Sequence, residues 1–165
     1  MELVDVLDTR KEFTGEIIDK HNIPEGYYRL SVHIWIINDK GQLLLQQRLS
    51  TAHKFPNMWS NTGGAVKAGE TSIEGAVREL KEELGIIVKK EDLEFIASYK
   101  RTRDFADVWL LKKNIAINDI IVGEDEVQNV KWTSFKEFEE MLKNGEAVKS
   151  SYDYLKLFMA DNKKI

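Results

Sequence analysis

Four glutamates and one arginine, spaced along one short stretch, are the residues of this chain best suited to do chemistry. They lie in GAVKAGETSIEGAVRELKEELGI, residues 64–86, where Gly64, Glu70, Arg78, Glu79, Glu82, Glu83 and Gly85 keep register with the aliphatic Leu80 and Ile86. At average usage each of these seven is about a one-in-fifteen event, so their joint occurrence by accident is roughly one in 10^8. Thr71 suits a helix N-cap, and Glu74 three residues on completes a capping box. The pattern predicts a flexible loop at Gly63-Gly64, a turn at Gly69, and a helix from about Ser72 to Leu84 ended by Gly85. Ile73, Ala76, Val77, Leu80 and Leu84 recur at helical spacing and form its buried stripe. At roughly 100° per residue, Glu79, Glu82 and Glu83 fall within about a 100° arc beside that stripe. Carboxylates so placed repel one another. A hard divalent cation with oxygen ligands, such as Mg2+, is the simplest compensation. The competing reading is a solvated helix with Lys81 and Arg78 as counter-ions, and the register of Gly64, Glu70 and Gly85 weighs against it.

This segment resembles the Nudix box without departure at its defining positions, and the flanking segments are similar to a Nudix domain over nearly the full chain. The resemblance implies an α/β/α sandwich, a mixed β-sheet between helices, spanning residues 1–165 as one domain. It also implies a metal-dependent hydrolase that cleaves a nucleoside diphosphate linked to another group, or a related organic diphosphate. Carried over by position, Glu79, Glu82 and Glu83 are the metal ligands, joined by the Gly64 carbonyl, with Mg2+ as the cofactor and Mn2+ as a substitute. Arg78 is expected to orient Glu79 by an ion pair, and Glu70 to fix the loop against the helix. In Nudix proteins an acidic residue some positions before a tryptophan often supplies a remaining ligand or base. Glu126, six residues before Trp132, is the best match and Glu124 the second, with a charged hairpin turn as the alternative. Water would attack a phosphorus of the diphosphate, and either Glu79 or Glu126 would take its proton.

The order TGE…H…YYRLSVHIWIIN…LLLQQR…FPNMWSNTGG looks most similar to the branch of this family near isopentenyl-diphosphate isomerase. That enzyme uses a cysteine just before the box and histidine ligands. This chain has no cysteine, and Ala65 stands where the isomerase-like histidine would be. A Nudix-fold module that senses a nucleotide without cleaving it is the alternative from another class, and the intact carboxylate set argues against it.

Composition sets bounds on the rest. The 165 residues suffice for one domain with a real core, and 42% hydrophobic with 32% charged residues is ordinary for a globular protein. A formal net charge of −4 with no basic stripe argues against binding a nucleic-acid polymer. The absence of cysteine removes disulfides, zinc-thiolate sites and thiol nucleophiles. There is no signal-peptide pattern and no apolar run of about 18 residues, so a cytoplasmic protein working on a small-molecule diphosphate away from membranes is expected.

The elements around the box follow from alternation and turn residues. Residues 1–20 predict a β-hairpin, with strands in LVDVLD and EIIDK, as a structural or homodimer-forming device. RLSVHIWIIN predicts a central strand, the NDKG turn, and QLLLQQRL as its hairpin partner. Arg29, Ser31, His33 and Trp35 share one face of that strand, which suits either a substrate pocket or a wet sheet face. Residues 50–64 read as a long irregular approach pinned by Phe55, Pro56 and Trp59. Trp59 is a candidate for stacking on substrate, with a packed anchor as the stronger reading. Arg48, His53 and Lys54 could reach a phosphate. Residues 91–103 and 105–114 read as two strands, with Tyr99, Arg101 and Arg103 pointing one way as a possible diphosphate clamp, against solvated arginines as the alternative. A last strand near Val127–Trp132, a helix capped by Ser134 and Glu137 and ended at Gly145, and a closing helix in residues 150–164 complete the reading.

Overall fold

A computed structural model of the chain describes residues 1–161. Among the described residues there are nine strands: β1 (Leu3–Leu7), β2 (Phe13–Asp19), β3 (Arg29–Ile37), β4 (Gln42–Arg48), β5 (Trp59–Ser60), β6 (Thr62–Ala65), β7 (Leu93–Lys100), β8 (Asp104–Lys112) and β9 (Val127–Ser134). Three α-helices accompany them: α1 (Ser72–Leu84), α2 (Phe135–Lys143) and α3 (Tyr152–Asp161). None of the described helices is long and apolar enough to cross a membrane.

The parallel pair β3–β8, in register from Arg29↔Asp104 to Ile37↔Lys112, is the axis of a mixed seven-stranded sheet. Along β3 the residues alternate between two cores. Val32, Ile34 and Ile36 meet Ala76, Leu80 and Leu84 of α1, whereas Trp35 and Ile37 meet Phe138 and Met141 of α2 and Leu155 and Met159 of α3. A period-two strand with both faces apolar requires a cover on each side, and the result is the α/β/α sandwich that the sequence implies. Leu80 and Leu84 are almost fully buried. Each contributes roughly 1.5–3 kcal/mol, which helps offset the repulsion among the glutamates on the same helix.

The β3–β4 hairpin expected from the NDKG turn closes for one pair only, Ile37↔Leu43. Beyond it β6 takes the β3 edge, from Ile34↔Thr62 to Ser31↔Ala65, and β4 instead pairs with β9 and β5. The two arms diverge, and a cleft opens between them. Residues 50–64 are therefore less irregular than their composition suggests, because 59–60 and 62–65 enter the sheet. Gly63 and Gly64 are strand residues and not a flexible loop, opposite His33 and Val32. Phe55 does not pin this segment; it is exposed with φ 51°.

At the N-terminus β1 and β2 form the expected hairpin, although β2 begins at Phe13 instead of Glu16. Val4 and Val6 pack with Ile23 and Ala65, and Lys11 reaches Asp107 of β8 at 2.7 Å. Strand β7 ends at Lys100, so Arg101 and Arg103 leave it for the turn into β8. Helix α2 is capped by Ser134 and Glu137 as expected, with Gly145 following at φ 74°. Residues 162–164 of the expected closing helix lie outside the described residues.

Candidate active site

Helix α1 starts and stops where its sequence dictates. The Thr71 hydroxyl accepts from the Glu74 N–H, the Glu74 carboxylate accepts from the Thr71 N–H, and Gly85 ends the helix at φ 65°. On this helix Arg78 uses every donor it has. Nε and Nη2 donate to the two Glu70 oxygens at 2.7 and 2.9 Å, and Nη2 also to the Ala65 carbonyl at 2.9 Å. Nη1 donates to Glu79 at 2.9 Å and to Glu82 at 3.1 Å. The rigid guanidinium fork thus ties the loop at Glu70, strand β6 and the helix into one unit. Burial pushes the Glu70 carboxyl up, but the Arg78 hydrogen bonds outweigh it and hold it below the usual range.

Next to this unit Glu79, Glu83 and Glu126 each offer an oxygen within 4.8 Å of the others. Burial is the main force pushing the Glu79 carboxyl up to about 7, against the opposing pull of Arg78, with Glu126 and Glu82 adding to it. Burial likewise raises the Glu83 carboxyl well above the usual range, followed by the negative field of Glu79. Two buried carboxyls that resist ionisation beside a third are neutralised by a proton or by a cation. The donor set is all oxygen, and such a set fits a hard divalent ion such as Mg2+. Glu82 is not in this trio; its side chain is 47% exposed and pairs with Arg78 and, at 3.9 Å, with Lys67.

Glu126 is brought to the trio by a loop that caps the end of α1. The Ile121 N–H donates to the Leu84 carbonyl at 3.0 Å and the Gly123 N–H to the Glu83 carbonyl at 2.9 Å. The trio lines a cleft of about 800 Å³, and Arg29, Arg48 and Arg101 line it as well.

Residues 27–157 match the NUDIX domain family. The chain belongs to the Nudix family. It is 34% identical to an uncharacterized Nudix hydrolase of Listeria monocytogenes, over 90% of this chain and 89% of that protein. A partial similarity, 35% identity over 54% of this chain and 52% of the other, links it to an isopentenyl-diphosphate Delta-isomerase of Halorhodospira halophila. Among solved structures it resembles DR0079 from Deinococcus radiodurans, with a TM-score of 0.78, 25% identity and coverage of 93% and 96% of the two chains.

Within this Nudix fold the residues singled out from sequence fall into two groups. Arg78, Glu79, Glu83, Glu126 and Gly64 meet around the trio, and Glu82 stands at its rim. Arg29, Arg48, His53, Lys54 and Arg101 line the cleft. Arg48 is braced by donating from Nε to the Lys54 carbonyl at 2.8 Å, and Arg101 by a two-pronged pair with Asp104. Trp59 and Tyr99 are not part of the cleft lining. Trp59 packs against the α2–α3 core beneath the Lys131 ammonium, 4.3 Å from the ring centre, and Tyr99 stacks on Tyr154 at 4.3 Å. Both rings lie on the sheet face of Trp35 and His33, where they serve as packed anchors beside the cleft. Of the β3 face, Arg29, Ser31 and His33 line the cleft, while Trp35 is buried with Nε1 donating to Ser151 Oγ at 2.9 Å.

Three residues of the Nudix site were not visible in the sequence as functional. Gln46 Nε2 donates to Glu83 at 3.2 Å and is itself oriented by the Thr62 hydroxyl, which donates to Gln46 Oε1 at 2.9 Å. A glutamine directly after three buried leucines was the available signal. Gly123 has only its position before EDE to mark it.

Proposed function

We propose that this Nudix protein is a Mg2+-dependent hydrolase of a diphosphate linkage in a nucleoside diphosphate derivative or related organic diphosphate. The observation that carries this reading is the convergence of Glu79, Glu83 and Glu126, two of them buried with raised pKa, in the wall of an arginine-lined cleft. Glu79, Glu83 and Glu126 would hold the cation, with Mn2+ as a substitute for Mg2+. When bound, it supplies charge neutralisation at the diphosphate and makes water a better nucleophile at neutral pH.

The remaining roles belong to the chain itself. Arg78 fixes the Glu79 carboxylate so that it does not have to be ordered during the reaction. Gln46 and the Gly63 N–H hold the two Glu83 oxygens apart in direction. Glu79 and Glu126 are the two bases in reach of an attacking water. Arg29, Arg48 and Arg101 offer positive charge to the phosphates from the cleft walls. Isomerisation of the kind named for the partial relative is disfavoured, because no cysteine is present to supply its chemistry.

The test is incubation with Mg2+ and a panel of dinucleotides, nucleotide sugars, nucleoside triphosphates and isoprenoid diphosphates, with product analysis by chromatography. Release of a mononucleotide or a phosphate-bearing fragment, lost in Glu83→Gln, is expected. Binding without cleavage across the panel would mark a sensor instead.

A further inference from the structure

His33 is only 8% exposed, yet its ring lines the cleft. Its Nδ1 lies 3.0 Å from Ser151 Oγ and 3.2 Å from Ser150 Oγ. Ser151 is fully buried, and its oxygen already accepts from Trp35 Nε1, a group that can only donate. The Ser151 proton therefore needs an acceptor, and among the described residues His33 Nδ1 is the one within reach. A ring that accepts at Nδ1 carries its hydrogen on Nε2. That nitrogen has no partner among the described residues, and the one fully buried unpartnered side-chain atom among them is Thr133 Oγ1, so Nε2 opens to the cleft. Tyr99 packs edge-on to the ring at 6.4 Å and limits its rotation. Burial, and after it the positive charge of Arg101, lowers the His33 pKa to about 4, so the ring stays uncharged at neutral pH.

The His33 side chain lies on the sheet face opposite α1, the helix that carries Glu79 and Glu83. On β3 it alternates with Val32 and Ile34, which face α1, so its side chain serves the opposite face. Its neighbours along that part of the cleft are polar: Ser31, Arg101, Asp104 and Ser150.

We propose that His33 is a specificity-determining residue whose Nε2–H, fixed in direction by the Ser151 hydroxyl behind it, donates a hydrogen bond to an acceptor on the group that the diphosphate carries. This rests on the hydrolase reading above and narrows it: the carried group is a hydrogen-bonding one, such as a nucleoside or sugar, and not a hydrocarbon. Ser151 acts through His33 and is a positioning residue.

The experiment has two arms. In the first, side-chain 15N NMR of the full-length protein at neutral pH reads the His33 tautomer directly, and the Nε2–H form is expected. In the second, wild type, His33→Phe and His33→Gln are compared on the nucleotide derivative cleaved best with Mg2+ and on an isoprenoid diphosphate. Loss of one neutral hydrogen bond predicts a KM about three- to tenfold higher in His33→Phe for the nucleotide derivative, with kcat nearly unchanged. His33→Gln, whose amide nitrogen can reach the same place, should recover most of that loss, and the isoprenoid diphosphate should not distinguish the three. An Nδ1–H tautomer, or a wild-type KM in His33→Phe, overturns the proposal while hydrolysis by the wild type stands. Absence of wild-type turnover on every compound is a separate result that removes the reaction and this contact with it.

Discussion

The Glu79 carboxylate lies directly over the α-carbon of Gly64, where a Cβ would fall 2.5 Å from Oε1. Strand and helix are thus in contact through a position that has room for hydrogen alone. Gly64→Ala should push Glu79 off its Arg78 hydrogen bond while leaving the hydrophobic cores intact. Turnover with Mg2+ is expected to fall about 100-fold or more, the scale of losing a positioned catalytic group. Circular dichroism should remain that of the wild type.

Neighbouring glutamates on α1 should differ sharply in importance. Glu83 is buried and belongs to the trio, whereas Glu82 is half exposed and holds Arg78 from the rim. Glu83→Gln is expected to cost at least about 100-fold in turnover and Glu82→Gln about tenfold, since the second removes only a supporting ion pair. Steady-state kinetics at saturating Mg2+ compare them; equal losses would put Glu82 among the ligands.

The cation-free protein should lose stability as pH rises from about 4.5 to about 7. Glu79 has a folded pKa of about 7 against an ordinary 4.5, so in this window the folded state binds more protons than the unfolded state. Glu79 therefore makes stability fall with pH by an amount on the order of 3 kcal/mol or less, and its share levels off above its folded pKa. Glu70 and Asp104, whose pKa values are lowered, act in the other direction at more acidic pH; His33, lowered to about 4, opposes the slope between about 4 and 6.5, and Glu83, which is raised, adds to it. Thermal midpoints in EDTA should fall less steeply with pH in Glu79→Gln than in the wild type, the difference being the share of Glu79.

Adding Mg2+ should reverse that destabilisation. Binding to the folded state alone raises stability with the logarithm of cation concentration. The thermal midpoint at neutral pH is expected to climb with Mg2+ in the wild type and to stay flat in Glu83→Gln, with differential scanning calorimetry as the measurement.

Gly123 offers an independent check on how Glu126 is delivered. A Cβ there would lie 2.5 Å from the Glu82 carbonyl, so Gly123→Ala should lift the 121–126 loop from the end of α1. Weaker Mg2+ uptake by titration calorimetry, about tenfold or more as for other disturbed supports of metal ligands, is expected. The far-ultraviolet spectrum should not change.

Much of the fold was legible from short-range pattern. Thr71 and Glu74, Ser134 and Glu137, and Gly85 marked helix ends because capping is settled by a few neighbouring residues. Alternation in RLSVHIWII marked β3 as a central strand but left open whether the face of Arg29, Ser31, His33 and Trp35 is wet or covered. Pairing partners were not legible. The NDKG turn suggested a simple β3–β4 hairpin, but β6 competes for the β3 edge, and nothing local in NTGG announces that a remote strand will accept it. Trp59 packs as the anchor that was its stronger reading, whereas Tyr99 was ambiguous, because an aromatic ring looks the same in sequence whether it faces a ligand or a core.

The sequence by itself determined the helix that carries the glutamates, the identity of those glutamates and the arginine among them, and the central strand beneath. All of these depend on contacts within a few residues or on a regular period. Only the tertiary structure decided that Glu83 joins Glu79 and Glu126 while Glu82 turns outward, that Gln46 and Thr62 support the group, and that His33 faces the cleft with a serine 118 positions away behind it. Those choices arise where strands from distant parts of the chain meet, and burial and charge at such a junction depend on every segment that closes it.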